Sequence, residues 1–225
     1  MTHTLFDALS ALFPMGLSGL IFDCDGVLVD SCGANVGYYN RLLAEFGLPP
    51  MPEAHEEYVQ MASAEQAFEF LFTPEQRKLL PDIFKRLPYN DITLPLLEPE
   101  PGLKEMLLAL HGRGVRLAVH TNRREGIWDV LRKFGIDTVF DPVMNAVNAL
   151  PKPSPDGVYK ILAAWKVPAG TVGFLGDSRS DAEAAAGAGV PLIAYRSEKL
   201  AAAVHADSFP ELQKVLLSLP LFGEA

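Results

Sequence analysis

Apolar residues recur along much of this chain at the spacing of a helix face. In three segments they fall at positions i, i+3, i+4 and i+7, which places them on one side of an α-helix. The three sets are Leu103, Met106, Leu107 and Leu110; Ile127, Val130, Leu131 and Phe134; and Val158, Ile161, Leu162 and Trp165. The pattern therefore predicts three amphipathic helices, each with one apolar face.

Short apolar runs rich in β-branched residues lie between these helices. A run of this kind is typical of a strand that is buried in a parallel sheet. The runs are residues 20–22, 115–120, 138–140, 171–175 and 191–195. Strands that alternate with helices along the chain predict the α/β class with a doubly wound parallel sheet.

The interval 33–96 breaks this alternation, because it contains no good strand. Its helical segments are residues 35–46, 64–72 and 74–87. We expect Pro81 to break the last of them, since proline removes a helical hydrogen bond. A cluster of prolines at 95, 99 and 101 indicates the return to the α/β core. The sequence thus predicts a helical insert of residues 33–96 in a core formed by residues 1–32 and 97–225.

Composition narrows the function classes. The chain of 225 residues has 19 basic and 28 acidic residues, a net charge of −9 that argues against a nucleic-acid-binding surface. Cys24 and Cys32 form no repeated pattern, so we expect a reducing cytoplasm and no disulfide framework. The first 16 residues have no basic region followed by a long apolar run, so we expect a short extra helix there and neither a signal peptide nor a membrane helix. Nothing in the sequence indicates an oligomeric state.

Polar side chains follow the predicted strands where they end. In an open α/β sheet, ligands bind outside the carboxyl ends of the strands. The residues in question are Asp23 and Asp25 after the first strand, Thr121 and Asn122 after the second, Asp177 and Asp181 after the fourth, and Lys152 in the loop before residue 154. The sequence therefore predicts one site with four carboxylates, a hydroxyl, an amide and a lysine.

These side chains suit phosphoryl transfer. Clustered carboxylates are the hard oxygen ligands that Mg²⁺ prefers, and a metal would offset their mutual repulsion. One aspartate can attack phosphorus, and a second can protonate the leaving oxygen and then activate water. Each motif alone has a plain alternative: "DCD" can be a pair of solvated loop acids, and "GDSRSD" can cap a helix through Asp177 or Ser178. Their order and their positions at strand ends favour the catalytic interpretation.

Four segments resemble, in order, the motifs of the haloacid dehalogenase superfamily. They are "FDCDGVLVDS", "VHTN", Lys152 in "PKPSPDG", and "GDSRSDAEAAAGAG". The helical insert is similar to the C1-type cap of that superfamily, and the subgroup it most resembles contains phosphoglycolate phosphatases and β-phosphoglucomutases. The resemblance implies a Rossmann-like core of five parallel strands in the order 5-4-1-2-3, with an active site closed by the cap.

The resemblance also implies roles for individual residues. Asp23 would be the nucleophile and a Mg²⁺ ligand, and Asp25 would be the general acid/base that gives the metal only its backbone carbonyl. Thr121 and Lys152 would bind the phosphoryl group, with Lys152 also steadying Asp23. Of the remaining residues, Asp177 would be a metal ligand, Asp181 an outer acidic residue of the metal site, and Gly26 a turn that leaves backbone N–H groups free for phosphate. Apart from the resemblance, Asn122 and Arg123 directly follow Thr121 and are expected to contact the substrate, with a surface arginine as the alternative for Arg123.

We therefore expect a Mg²⁺-dependent phosphatase that acts on a small phosphorylated metabolite through an aspartyl-phosphate, with no nucleic-acid or membrane partner. Asp25 argues against dehalogenation, because cleavage of a carbon–halogen bond needs no proton on the leaving group. A sugar-phosphate mutase would have the same core residues. A phosphonate hydrolase would need a cap lysine, and Lys78 and Lys85 lie late in the insert. A non-catalytic phosphate-binding module is the alternative from a different class.

Overall fold

The computed structural model describes residues 4–62, 64–124 and 126–223. Their strands are β1 Gly19–Phe22, β2 Val29–Asp30, β3 Glu98–Pro99, β4 Arg116–His120, β5 Val143–Met144, β6 Val172–Gly176, β7 Leu192–Tyr195 and β8 Val204–Ala206. Their α-helices are α1 Leu5–Leu12, α2 Cys32–Glu45, α3 Glu53–Met61, α4 Ala64–Leu71, α5 Pro74–Arg86, α6 Tyr89–Thr93, α7 Leu103–Gly112, α8 Ile127–Phe134, α9 Asp156–Trp165, α10 Arg179–Gly187 and α11 Phe209–Leu216. Among these described helices, none is long and apolar enough to cross a membrane.

Six of the strands form one parallel sheet in the order β5-β4-β1-β6-β7-β8. Five neighbouring strands, β7-β6-β1-β4-β5, have the order 5-4-1-2-3 that the resemblance implied. The predicted α/β class is therefore confirmed. All residues of β1, β6 and β7 are buried, because helices cover the sheet. Phe22 at the end of β1 pairs with Val119 on one side and with Leu175 on the other. The carboxyl ends of three neighbouring strands are therefore level with one another.

The three predicted amphipathic helices are α7, α8 and α9. Leu103, Met106, Leu107 and Leu110 are all buried, as are Ile127, Val130 and Leu131 of α8 and Val158, Ile161 and Trp165 of α9. The helical spacing predicted these faces correctly because each helix gains its stability from burying one apolar side.

The observed strands differ from the predicted strands at the two edges of the sheet. The run 138–140 is not a strand: Val139 and Phe140 are buried in a turn, and the edge strand is β5, a few residues later. A three-residue apolar run cannot distinguish a strand from a buried turn, since both bury the same side chains. The sixth strand β8, which extends the sheet beyond β7, was not predicted, and neither were the two-residue strands β2 and β3.

The chain divides into two compact units, residues 1–29 with 99–225, and residues 30–98. The second unit has its own apolar core from α2 to α5, formed by Tyr38, Leu42, Leu43, Met51, Val59, Ala67, Phe72, Leu80 and Ile83. The expectation that Pro81 breaks the last helix was wrong, because α5 continues through it. A capping box between Thr73 and Gln76 starts α5, and burial of Leu80 and Ile83 on either side of Pro81 holds it.

Candidate active site

The first residues of the loops after β1 and β4 are held by backbone hydrogen bonds to the neighbouring strands. The Asp23 N–H donates to the Leu175 carbonyl at 3.0 Å, and the Thr121 N–H donates to the Met144 carbonyl at 3.0 Å. The side chains of Asp23 and Thr121 are both buried. Asp23 and Thr121 therefore lie just past the ends of β1 and β4, which are neighbours in the sheet.

Lys152 lies between two carboxylates. Its Nζ is 2.5 Å from Asp23 Oδ1 and 2.6 Å from Asp181 Oδ1, and all three side chains are nearly inaccessible to solvent. Burial alone would lower the pKa of Lys152, but the adjacent Asp181 and Asp23 outweigh burial and raise it. Lys152 is therefore a permanent positive charge in contact with the predicted nucleophile.

Asn122 holds the backbone of Lys152. Its Nδ2 donates to the Lys152 carbonyl at 3.1 Å, and its Oδ1 accepts from the Lys152 N–H at 2.7 Å. Both ends of the amide are thus used to fix a loop that lies 30 residues further along the chain. This geometry gives Asn122 an influence on the site through Lys152, while direct contact with a substrate stays a prediction.

Asp181 joins Lys152 to the start of α10. Ser178 is the N-cap of this helix: its hydroxyl accepts from the Asp181 N–H, and Asp181 Oδ2 in return accepts from the Ser178 N–H at 3.1 Å. Gly176 makes room for this arrangement, because a Cβ there would lie 2.4 Å from the Asp181 Cβ. The capping interpretation of "GDSRSD" thus holds for Ser178, and it is compatible with the catalytic interpretation because the same Asp181 carboxylate also contacts Lys152.

The carboxylates fit a divalent cation. Asp23, Asp177 and Asp181 have oxygen atoms that all lie within 4.8 Å of one another. Burial, and after it the charge of Asp181, raises the pKa of Asp177 to about 7, and the same two causes raise the pKa of Asp23 well above its usual range. A cation that prefers oxygen ligands, such as Mg²⁺, would stabilise the ionised form of these buried carboxyl groups. Because Lys152 and Ser178 already engage both oxygens of Asp181, we expect Asp23 and Asp177 to be the better direct ligands.

Gly26 allows Asp177 to approach the loop after β1. Its φ is +80°, and a Cβ there would lie 2.0 Å from Asp177 Oδ2. The Gly26 N–H donates to the Val29 carbonyl at 2.9 Å, so it is not one of the free N–H groups expected at this turn; binding of phosphate by other N–H groups of the turn stays a prediction. The backbone turns back on itself here, so the glycine serves by lacking a side chain.

Arg123 binds Asp25. Its Nε donates to Asp25 Oδ2 at 2.8 Å and its Nη2 donates to Asp25 Oδ1 at 2.6 Å, which makes the pair bidentate. The Arg123 side chain is 6% exposed and that of Asp25 is 33% exposed. Asp25 is thus partly accessible to solvent while it is bound to the buried Arg123. The sequence predicted that Arg123 contacts the substrate, and that stays a prediction. In the structure the Arg123 guanidinium binds Asp25.

His120 packs beneath the site. It is buried beside the Phe174 ring, and a Cβ on Gly157 would lie 2.4 Å from its Nε2. Burial, and after it the charge of Lys152, lowers the pKa of His120 to about 4, so the ring is neutral near pH 7. Neither ring nitrogen has a hydrogen-bond partner among the described residues. His120 is therefore a packed, neutral histidine.

The sequence analysis missed Asn145, which is buried in the loop after β5. Its Oδ1 accepts from the Val147 and Asn148 N–H groups, and the N–H of the next residue, Ala146, donates to the Arg123 carbonyl at 2.9 Å. An Asn followed by small residues indicates a loop, but nothing local indicates that this loop holds Arg123.

Comparison with known proteins agrees with this geometry. Residues 20–195 match the family described as haloacid dehalogenase-like hydrolase. The chain belongs to this family. It is 29% identical over 230 residues to a phosphoglycolate phosphatase from Caulobacter vibrioides, which covers 94% of this chain and 95% of that protein. A phosphoglycolate phosphatase from Pseudomonas fluorescens is 31% identical, covering 83% of this chain and 72% of that protein.

Among solved structures, a haloacid dehalogenase superfamily hydrolase of subfamily IA from Geobacter sulfurreducens has a TM-score of 0.77 at 31% identity, covering 89% of this chain and 96% of that one. The predicted resemblance to this superfamily and its phosphoglycolate phosphatase subgroup is confirmed. The prediction that this haloacid dehalogenase-like protein is a phosphatase enzyme is confirmed with it.

Proposed function

We propose that this protein is a Mg²⁺-dependent phosphatase that hydrolyses a small phosphomonoester through an aspartyl-phosphate on Asp23. The observation that carries the proposal is the contact between Lys152 Nζ and Asp23 Oδ1 at 2.5 Å, beside Asp177 and Asp181. Lys152 binds one oxygen of the carboxylate, and no hydrogen bond among the described residues engages the other. An ionised carboxylate with one oxygen fixed and one oxygen available is a nucleophile suited to phosphorus.

Lys152 and Thr121 would bind the oxygen atoms of the phosphoryl group while Asp23 attacks phosphorus. Lys152 opposes the rise that burial and Asp181 cause in the pKa of Asp23, and its charge also attracts the phosphoryl oxygens. The Thr121 hydroxyl already accepts a hydrogen bond from the Arg123 N–H at 3.1 Å, so its own proton is available to a phosphoryl oxygen. Asp181 keeps Lys152 in place through the start of α10.

Asp23 and Asp177, with the Asp25 backbone carbonyl, would hold Mg²⁺, and Asp181 would lie outside them. The metal supplies positive charge that offsets the charge of the acids and of the phosphoryl oxygens. The raised pKa values of Asp23 and Asp177 support this assignment, because they indicate buried acids with too little compensating charge.

Asp25 is suited to the proton transfers, because part of its side chain is accessible to solvent. In the first step Asp23 attacks phosphorus, the bond from phosphorus to the ester oxygen breaks, and Asp25 gives its proton to that leaving oxygen. In the second step Asp25 takes a proton from water, the water oxygen attacks phosphorus, and the bond to Asp23 breaks. Inorganic phosphate leaves, and Asp25 carries the proton for the next cycle.

The relatives' names make phosphoglycolate the first substrate to test, within the wider class of small phosphorylated metabolites. We would measure phosphate release from 2-phosphoglycolate, several sugar phosphates and p-nitrophenyl phosphate, with Mg²⁺ and with EDTA. The variants are Asp23→Asn and the matched control Asp129→Asn, which makes the same change on the exposed surface of α8.

We expect turnover that requires Mg²⁺, that falls by roughly 10³-fold or more in Asp23→Asn, and that is unchanged in Asp129→Asn. Trapping of a phosphorylated wild-type protein by acid quench would support the covalent step. A folded wild type that releases no phosphate from any substrate would contradict the proposal. Interconversion of sugar phosphates that needs a bisphosphate activator would contradict it in favour of a mutase.

A further inference from the structure

The Asp25 carboxylate is held at both of its oxygens by Arg123. The distances, 2.8 Å from Nε to Oδ2 and 2.6 Å from Nη2 to Oδ1, are those of a planar fork that fixes both the position and the plane of a carboxylate. Asp25 lies after β1 and Arg123 after β4, so the contact joins two strand ends that are 98 residues apart in sequence.

Arg123 is itself fixed by its backbone. Its N–H donates to Thr121 Oγ1 at 3.1 Å, and its carbonyl accepts from the Ala146 N–H at 2.9 Å. Ala146 in turn is held by the turn around Asn145, whose own N–H donates to Asn148 Oδ1 at 2.8 Å. The backbone of Arg123 is therefore held on both sides, and burial of its side chain, which is only 6% exposed, restricts where the guanidinium can lie.

We propose that Arg123 is a positioning residue, which acts on the reaction by holding the Asp25 carboxyl group where it can reach the leaving oxygen. The inference rests on the proposed function of Asp25. The fork does not block that function, because each carboxylate oxygen has two lone pairs and Arg123 uses one on each. The Asp25 side chain is 33% exposed while it is bound to Arg123, whose own side chain is 6% exposed, so the contact with Arg123 leaves part of Asp25 accessible to solvent.

The alternative is that Arg123 binds the substrate directly. These two roles differ in one measurable way. A residue that binds substrate contributes equally whatever the leaving group is. A residue that positions the general acid matters most when the leaving oxygen is strongly basic, because a weakly basic oxygen departs with little help from a proton.

The experiment compares phenyl phosphate with p-nitrophenyl phosphate, which are similar in size and differ in the basicity of the leaving oxygen. We would measure kcat/KM for the wild type, Arg123→Met, Arg123→Lys, Asp25→Asn and the double variant Asp25→Asn with Arg123→Met. Arg132→Met, an exposed arginine on α8, is the matched control. Circular dichroism and thermal unfolding would establish that each variant is folded.

We expect Arg123→Met to lose roughly 10²-fold with phenyl phosphate and less than about tenfold with p-nitrophenyl phosphate, since a misplaced catalytic group costs about this much. Arg123→Lys should recover part of the loss with phenyl phosphate. The double variant should be no slower than Asp25→Asn alone, because Arg123 then has nothing left to position.

Equal losses with both substrates, or multiplying losses in the double variant, would overturn the inference and assign Arg123 to the substrate, while the phosphatase activity itself would stand. An Arg123→Met variant that is folded and as fast as the wild type with phenyl phosphate would overturn it as well. A wild type with no turnover of either substrate would overturn both the inference and the proposed function, so the two failures are distinguishable.

Discussion

Replacing Asp177 with asparagine should stabilise the metal-free protein at pH 8 while it abolishes Mg²⁺-dependent activity. Burial and the neighbouring Asp181 raise the pKa of Asp177 from 3.8 to about 7. At 1.36 kcal/mol for each pH unit, keeping this group ionised in the folded state costs about 4 kcal/mol at high pH. The amide has no charge to desolvate, so the variant avoids this cost and loses only the hydrogen bonds of the carboxylate, which leaves a gain of about 2–4 kcal/mol.

The gain depends on pH in a definite direction. An acid with a raised pKa in the folded state binds more protons there than in the unfolded state. The free energy of unfolding of the wild type therefore falls as the pH rises from about 4 to about 7, and it changes little from this cause above pH 7. Below pH 4 the side chain is protonated in both states, so the variant and the wild type should differ little there.

Urea unfolding in EDTA at pH 4.5 and pH 8 would measure this difference, with Asp129→Asn as the control for loss of an exposed charge. Adding Mg²⁺ at pH 8 should stabilise the wild type and leave Asp177→Asn nearly unaffected. If the variant is less stable than the wild type at pH 8, or if the gap is the same at both pH values, the argument from buried charge is refuted.

Three further substitutions test other contacts of the site. Lys152→Met should destabilise the protein by about 3–5 kcal/mol at pH 8 in urea unfolding, because it leaves the buried Asp23 and Asp181 without a cation. Gly26→Ala should weaken Mg²⁺ binding by at least roughly tenfold in isothermal titration, since its Cβ would lie 2.0 Å from Asp177 Oδ2 and must displace that carboxylate. Asn122→Ala should lower kcat by roughly tenfold or more and cost about 1–2 kcal/mol of stability, because the Lys152 loop loses two hydrogen bonds; an unchanged kcat would show that this loop needs no such support.

The sequence was enough to find the catalytic candidates because each follows a predicted strand, and the resemblance to the haloacid dehalogenase superfamily implied the strand order. Parallel strands end at one edge, so Asp23, Thr121 and Asp177 had to approach one another once β1, β4 and β6 were recognised as neighbours. The helix faces of α7 to α9 were equally readable, since periodic burial is a local property of a helix. Short elements could not be predicted from the sequence. The turn at 138–140 and the strand β8 each span three residues and each bury apolar side chains, so the local pattern does not distinguish them.

Only the tertiary structure decided which polar groups form hydrogen bonds and ion pairs with each other. The pairing of Arg123 with Asp25, of Asn122 with the Lys152 backbone and of the Gly26 N–H with Val29 all depend on loop conformations that no periodicity encodes. The same is true of the raised pKa of Asp177, because desolvation is set by every chain segment packed around the carboxylate. The sequence by itself thus determined which chemical groups meet at the edge of the sheet, since strand order and chain direction are enough for that. The structure decided how each group is oriented, because orientation depends on contacts between residues far apart in sequence.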